Sequence, residues 1–226
     1  MTTCGLLLAA GAGRRMGGPK ALVEVGGEPL LRRAVRLLRD GGCDEVVVVV
    51  GAQAADVAAL AEGEGCRAVP SPDWEEGMGA SLRAGLADLA TGPHDACVVA
   101  LVDQPLLGAA AVARLLAAGG PAAVATYGGA ARNPVLLARE VWPGVAAAAV
   151  GDAGARDWLR THPDLVHRVP CDDTGSPDDV DTPADLARLR PVRTPAGTAA
   201  PTGVRSAGPT PTAVPTPVPT RSQESA

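Results

Sequence analysis

Residues 6–20 read Leu-Leu-Leu-Ala-Ala-Gly-Ala-Gly-Arg-Arg-Met-Gly-Gly-Pro-Lys. An apolar run breaks into a loop holding four glycines, two arginines and a lysine. Glycine lets backbone N–H groups approach an anion closely, and the cations neutralise it. That combination reads as a cradle for a triphosphate. Two common phosphate loops do not fit. A Walker A loop needs Gly-Lys followed by Ser or Thr, but Pro19 separates Gly18 from Lys20 and Ala21 follows. A dinucleotide fingerprint needs a third glycine where Met16 stands, and an acid near the end of the second strand, which instead ends Val49-Val50-Gly51. A mere turn would not call for so many glycines and cations.

The elements that must position this loop alternate along the chain. Apolar strands are expected at Cys4–Ala10, Glu45–Val50, Ala96–Val102 and Ala122–Thr126, with further segments at Val135–Leu137 and Leu165–Val169. Five consecutive valines, Val46–Val50, suit a strand buried on both faces. Helices are expected at Pro29–Arg39, Ala54–Ala61, Ala80–Leu89, Ala110–Ala118, Ala155–Arg160 and Thr182–Leu189, from apolar residues at helical spacing. Strand–helix alternation predicts an α/β fold with a doubly wound, mostly parallel sheet. Ligands of such sheets bind at the carboxyl ends of the strands. The glycine loop leaves the first strand there, and Asp103-Gln104-Pro105 leaves the strand Ala96–Val102. If those two strands are neighbours, Asp103 faces the loop.

Composition narrows the class. The 226 residues suffice for one α/β domain with a full core. Phe is absent and aromatics are 2%, so Leu, Val and Ala must fill that core. A net charge of −5 argues against sequence-independent nucleic-acid binding, so any anion site is a local cluster of cations. The cysteines, Cys4, Cys43, Cys66, Cys97 and Cys171, form no CxxC, and their odd count suggests buried free thiols in a reducing, cytoplasmic setting. The N-terminal apolar run lacks a preceding basic region, and no run is long enough to span a membrane. After Arg190 the chain turns to Pro, Thr, Ala and Gly, which predicts a domain over 1–190 and a disordered tail over 191–226.

Residues Leu8 to Gly17 with Lys20 resemble the signature of the MobA-like nucleotidyltransferases. The likeness continues through Asp73–Leu82, Asp103-Gln104-Pro105, Gly151–Arg156 and Asp179-Val180-Asp181-Thr182-Pro183. The set is most similar to the molybdenum cofactor cytidylyltransferases, which include proteins accompanying xanthine dehydrogenase and carbon monoxide dehydrogenase. The resemblance implies a Rossmann-like three-layer α/β/α fold. It implies attack by an acceptor phosphate on the α-phosphate of a nucleoside triphosphate, releasing pyrophosphate. CTP is favoured over GTP by Ala9-Ala10, and the acceptor is a phosphate-bearing molecule such as molybdopterin cofactor. A molybdoenzyme would receive the product, with no nucleic acid or membrane partner.

In this reading Arg15 and Lys20 stabilise the transferring phosphates, and Leu8, Ala9, Ala10, Gly11 and Gly13 hold the nucleotide. Ser71, Met78, Gly79 and Ser81 lie at the base, with Ser81 doubling as a helix cap. Arg14 is evenly balanced between ligand contact and solvent. Asp103 and Asp181 hold Mg²⁺ or Mn²⁺, since magnesium takes a few carboxylates plus phosphate oxygens. Thr182 is the better cap for the helix begun by Pro183, which leaves Asp181 free. Gln104, Asn133 and Arg156 fall on the acceptor side, while Asp178 and Asp179 read as solvated loop charges. His94, His162 and His167 read as loop or surface residues. Two departures stand out: Ser71 where many relatives have Asn, and Arg132-Asn133-Pro134 where many have Gly-His-Pro. The alternatives are transfer to another small phosphate (a sugar phosphate or phospholactate), a cofactor-carrying chaperone, or an NAD(P)H-dependent oxidoreductase on the same fold.

Overall fold

The computed structural model describes residues 2–189. The expected disordered tail, 191–226, lies outside them. In chain order the elements are β1 (Thr3–Leu8), β2 (Glu24–Val25), β3 (Glu28–Pro29), α1 (Leu30–Asp40), β4 (Glu45–Val50), α2 (Ala54–Gly63) and β5 (Arg67–Pro70). Then come α3 (Met78–Leu89), β6 (Ala96–Leu101), α4 (Ala109–Ala118), β7 (Ala122–Tyr127), β8 (Ala130–Ala138), α5 (Trp142–Ala148), α6 (Arg156–Thr161), β9 (Val166–Pro170) and α7 (Pro183–Leu189).

Seven strands form one sheet in the order β5-β4-β1-β6-β8-β7-β9. All neighbours run parallel except β8, which is antiparallel to β6 and β7. The sheet is therefore mostly parallel, as the alternating pattern predicts. Side chains of a strand alternate between faces, and the two cores follow that period. Leu7, Val46, Val48 and Val50 face the core covered by α1, α2 and α4. Cys4, Leu6, Leu8, Val47 and Val49 face the core covered by α3, α5 and α6. This is why the valine run is apolar throughout: both of its faces are covered. All five cysteines are free and buried.

Three elements escape the sequence pattern. The edge strand β5 is short and carries an exposed Arg67 and Pro70, so it shows no apolar run. The β2–β3 hairpin has two residues per strand around Gly26-Gly27. Helix α5 is interrupted in sequence by Pro143, tolerated at its first turn. Strand β8 is also longer than Val135–Leu137, because the polar Arg132-Asn133-Pro134 hides inside it. Val124 pairs with Val135 and Ala125 with Arg132, so Asn133 and Pro134 bulge out of the ladder. His94 lies in the loop between α3 and β6, as one half of its reading expects, but it is 3% exposed, with Nε2 3.4 Å from Glu45 Oε2, and so is not on the surface.

Candidate active site

The strand order sets β1 inside the sheet, with β4 and β6 on either side and parallel to it, so the loops leaving all three open at one end of the sheet. Parallel pairing of Leu8 with Leu101 carries the glycine loop and Asp103 forward from the same level. The loop is a sequence of tight turns. Gly13 takes φ 55, accepts from Met16 N–H at 2.7 Å and Gly18 N–H at 3.4 Å, and a Cβ there would collide with the Gly18 carbonyl. Arg14–Met16 form one 3₁₀ turn. Pro19 then leads into a second, Lys20–Leu22, anchored by the buried Ala21.

That anchoring aims Lys20 at two carboxylates. Lys20 Nζ donates to Asp103 Oδ2 at 2.7 Å and to Asp181 Oδ1 at 2.5 Å. Arg15 lies 3.9 Å from the other oxygen of Asp181 and is largely exposed. Burial pushes the Lys20 ammonium down, but its hydrogen bonds to Asp103 and Asp181 outweigh that and hold it above the usual lysine range. The same bond from Lys20 holds Asp181 below the usual carboxylate range.

Asp181 comes from a segment laid antiparallel to residues 103–108. Val180 N–H donates to Asp103 O at 2.8 Å, and Ser176 N–H to Leu106 O at 3.0 Å. Gly175, at φ 127, permits the contact, since a Cβ would strike the Leu106 carbonyl. Thr182 caps α7 as expected: Asp185 Oδ2 accepts from Thr182 N–H at 2.9 Å, and Asp185 N–H reaches Thr182 Oγ1 at 3.3 Å. The Asp181 carboxylate is thereby left to Lys20. Asp179 is not merely a solvated charge. Its Oδ1 accepts from Gln104 Nε2 at 2.9 Å, and desolvation with the nearby Asp103 charge raises its carboxyl above the usual range.

Two adjoining clefts flank this wall. The first, about 590 Å³, is lined by Leu8, Ala10, Gly11, Gly13, Arg14, Arg15, Lys20, Trp74, Met78, Ser81, Asp103 and Asp181. The second, about 720 Å³, is lined by Gln104, Asn133 and Arg156, with Arg132, Arg160, Arg168, Asp178 and Asp179. Met78, Leu101 and Asp152 line both, so the clefts share a rim. The bulge in β8 puts Asn133 in the second.

Three expected nucleotide contacts lie behind the walls. Ala9 is 2% exposed and packs in the core. Ser71 is buried, with its Oγ unpartnered among the described residues. Gly79 is buried under the loop that follows α5, where a Cβ would come within 2.7 Å of Ala149 O. Ser81 is inside α3 rather than capping it, because the helix already starts at Met78 after Gly77. Sequence reasoning gave Trp74 and Asp152 no role of their own within the segments Asp73–Leu82 and Gly151–Arg156, and read Asp179 as a solvated loop charge. The Asp-Val-Asp alternation was the available signal for the last, since an extended segment turns Asp179 to the same face as Asp181, opposite the buried Val180.

A mostly parallel α/β sheet with a glycine-cation loop facing paired carboxylates at its carboxyl end defines a nucleotide-handling domain. The chain belongs to the MobA-like NTP transferase domain family, whose model matches residues 5–166. It therefore carries a nucleotidyltransferase domain acting on nucleoside triphosphates. It is 42% identical to nicotine blue oxidoreductase of Paenarthrobacter nicotinovorans, over 82% of this chain and 95% of that protein. It is 34% identical to molybdenum cofactor guanylyltransferase of Rhodobacter capsulatus, over 83% and 95%. Among solved structures, Rv0371C of Mycobacterium tuberculosis H37Rv in complex with manganese matches with a TM-score of 0.69 and 28% identity, over 84% of this chain and 98% of that one.

Proposed function

We propose that the protein transfers a nucleoside monophosphate, CMP in preference to GMP, from a nucleoside triphosphate to a phosphate-bearing acceptor, molybdopterin cofactor being the favoured one. The observation that carries this reading is Lys20 Nζ held between Asp103 and Asp181 beneath the glycine loop. An acceptor phosphate oxygen in the second cleft would form a bond to the α-phosphorus in the first. The bond to the β-phosphate oxygen would break, and pyrophosphate would leave with the negative charge. The chemistry needs positioning and charge neutralisation more than a proton-transfer residue.

Arg15 and Lys20 would bind the phosphates as charge builds on them. A divalent cation, Mg²⁺ or Mn²⁺, fits the donor set. The carboxylates of Asp103 and Asp181 already converge on one positive centre, the Lys20 ammonium. No group of three or more acidic, His or Cys side chains able to hold a metal occurs among the described residues. The two aspartates would thus share the ion with phosphate oxygens, as magnesium does in such sites. When bound, it supplies neutralisation of the phosphate charge. The manganese complex of Rv0371C supports this assignment. Gln104, Asn133 and Arg156 would face the acceptor.

A second reading is favoured by the 42% identity to nicotine blue oxidoreductase. It would make the chain a pyridine-nucleotide-dependent oxidoreductase on the same fold. The absence of an acid at Val49-Val50-Gly51 weighs against a ribose contact of the dinucleotide type.

Pyrophosphate release measured with magnesium, each NTP and molybdopterin-type acceptors tests the proposal. Release with CTP is expected, lost in Asp103→Ala with unchanged circular dichroism and retained in Cys171→Ser. No release with any NTP, together with NADPH oxidation by a dye acceptor, would overturn it in favour of the second reading.

A further inference from the structure

We propose that the indole face of Trp74 is the platform on which the nucleobase stacks, a role that rests on reading the first cleft as a nucleoside triphosphate site. The three tryptophans are used differently. Trp142 and Trp158 are 3% and 5% exposed and belong to one of the cores. Trp74 is half-buried, lies outside both cores, and lines the first cleft. The chain has no Phe and one Tyr, and among the described residues Trp74 is the one aromatic side chain on either cleft wall. A large flat apolar surface left half-wet forgoes burial energy that a core position would give.

Its place fits a base rather than a phosphate. Trp74 opens a 3₁₀ turn after the edge strand β5, whereas Lys20 and Asp103 follow β1 and β6. Strand β4 intervenes in the sheet between β5 and β1, and the Trp74 ring lies beside Ala10 at the start of the glycine loop, since a Cβ on Gly51 would meet both Trp74 Cγ at 2.6 Å and Ala10 O at 2.7 Å. The side chain is also held rigidly at its root. Gly51, leaving β4, makes room for it: a Cβ there would sit 2.7 Å from Trp74 Cβ and 2.6 Å from its Cγ. Trp74 N–H donates to Ser71 O at 3.3 Å, and Trp74 O accepts from Gly77 N–H at 3.1 Å. A fixed aromatic face stacks on any base and reads no hydrogen-bond pattern. Trp74 therefore adds affinity for CTP and GTP alike, and choice between them lies with other groups.

Titration of the full chain with CTP, GTP and inorganic tripolyphosphate tests this, by tryptophan fluorescence and by calorimetry, on wild type, Trp74→Leu and Trp74→Phe. Both nucleotides should quench the wild type, and tripolyphosphate should bind without quenching. Trp74→Leu should weaken both nucleotides by roughly tenfold or more and leave tripolyphosphate unchanged, while Trp74→Phe restores most of the loss. In the pyrophosphate assay the KM for NTP should rise with kcat nearly constant. An unchanged nucleotide Kd in Trp74→Leu, or an equal loss for tripolyphosphate, overturns the platform alone. Failure of the wild type to bind any NTP overturns the site reading and the platform together.

Discussion

The backbone N–H of Val180 donates to the carbonyl oxygen of Asp103 at 2.8 Å. This bond sets two short segments side by side with opposite directions. Asp103 and Asp181 meet at Lys20 on the first cleft, and Gln104 and Asp179 meet at 2.9 Å on the second. Val180, 3% exposed, fills the space between. The wall between the clefts is thus built from a few residues, each facing a defined side.

Lys20→Met removes the cation between two carboxylates. Lys20, held above its usual range, contributes stability that is full below the ordinary lysine value and lost as pH rises through its folded value. Asp181, held below its range, contributes stability present above the ordinary carboxylate value and lost as pH falls through its folded value. The pair therefore stabilises between about pH 4 and pH 10. The variant should lose about 1–2 kcal/mol at pH 7, the share of half-exposed Asp181 being screened by water, and less at pH 3. Nucleotidyl transfer should fall by about 10²–10³. Urea unfolding at the two pH values checks the sign.

Asp179→Asn keeps an acceptor oxygen for Gln104 and removes a charge. Asp179 is raised by desolvation and by Asp103, so charging it opposes folding once pH exceeds its unfolded value. The variant should melt higher than wild type at pH 7 and no higher at pH 3. Thermal melts that coincide at both pH values would remove the charge argument.

Gly79→Ala should loosen the rim the clefts share. Its Cβ would come 2.7 Å from Ala149 O and 3.0 Å from Gly151 O, pushing that loop from α3. Overpacking of this kind costs about 1–3 kcal/mol. The KM for the acceptor should rise more than that for NTP in steady-state assays.

The thiols should be silent in the native protein. Burial pushes Cys4 and Cys43 up to about 12, and Cys97 also well above its usual range. Native protein at pH 8 should react slowly with a thiol-specific disulfide reagent, and five equivalents should react at once in denaturant. Rapid labelling of the native chain would contradict the burial of these strands and turns.

Much of the fold was legible because apolar runs and helical stripes record burial directly. Strand Glu45–Val50 is found at the bounds its valines mark. Edge strand β5 and the bulged start of β8 were not legible, since half-exposed or unpaired residues carry no such pattern. At the site, the glycine loop, Lys20, Asp103 and Asp181 stood out by residue type and spacing. Ser71, Gly79 and Ala9 fall in the same motifs but behind the cleft walls, because a motif records chain neighbourhood and not which way a side chain turns.

The sequence by itself determined the loop's chemistry: four glycines, two arginines and a lysine suit an anion whatever surrounds them. It also determined that Asp181 escapes capping, because Thr182 and Asp185 satisfy the helix locally. Only the tertiary structure decided that Lys20, Asp103 and Asp181 meet. That meeting depends on β1 lying beside β6 and on a late segment pairing with residues 103–108, and both are long-range pairings that no local pattern encodes.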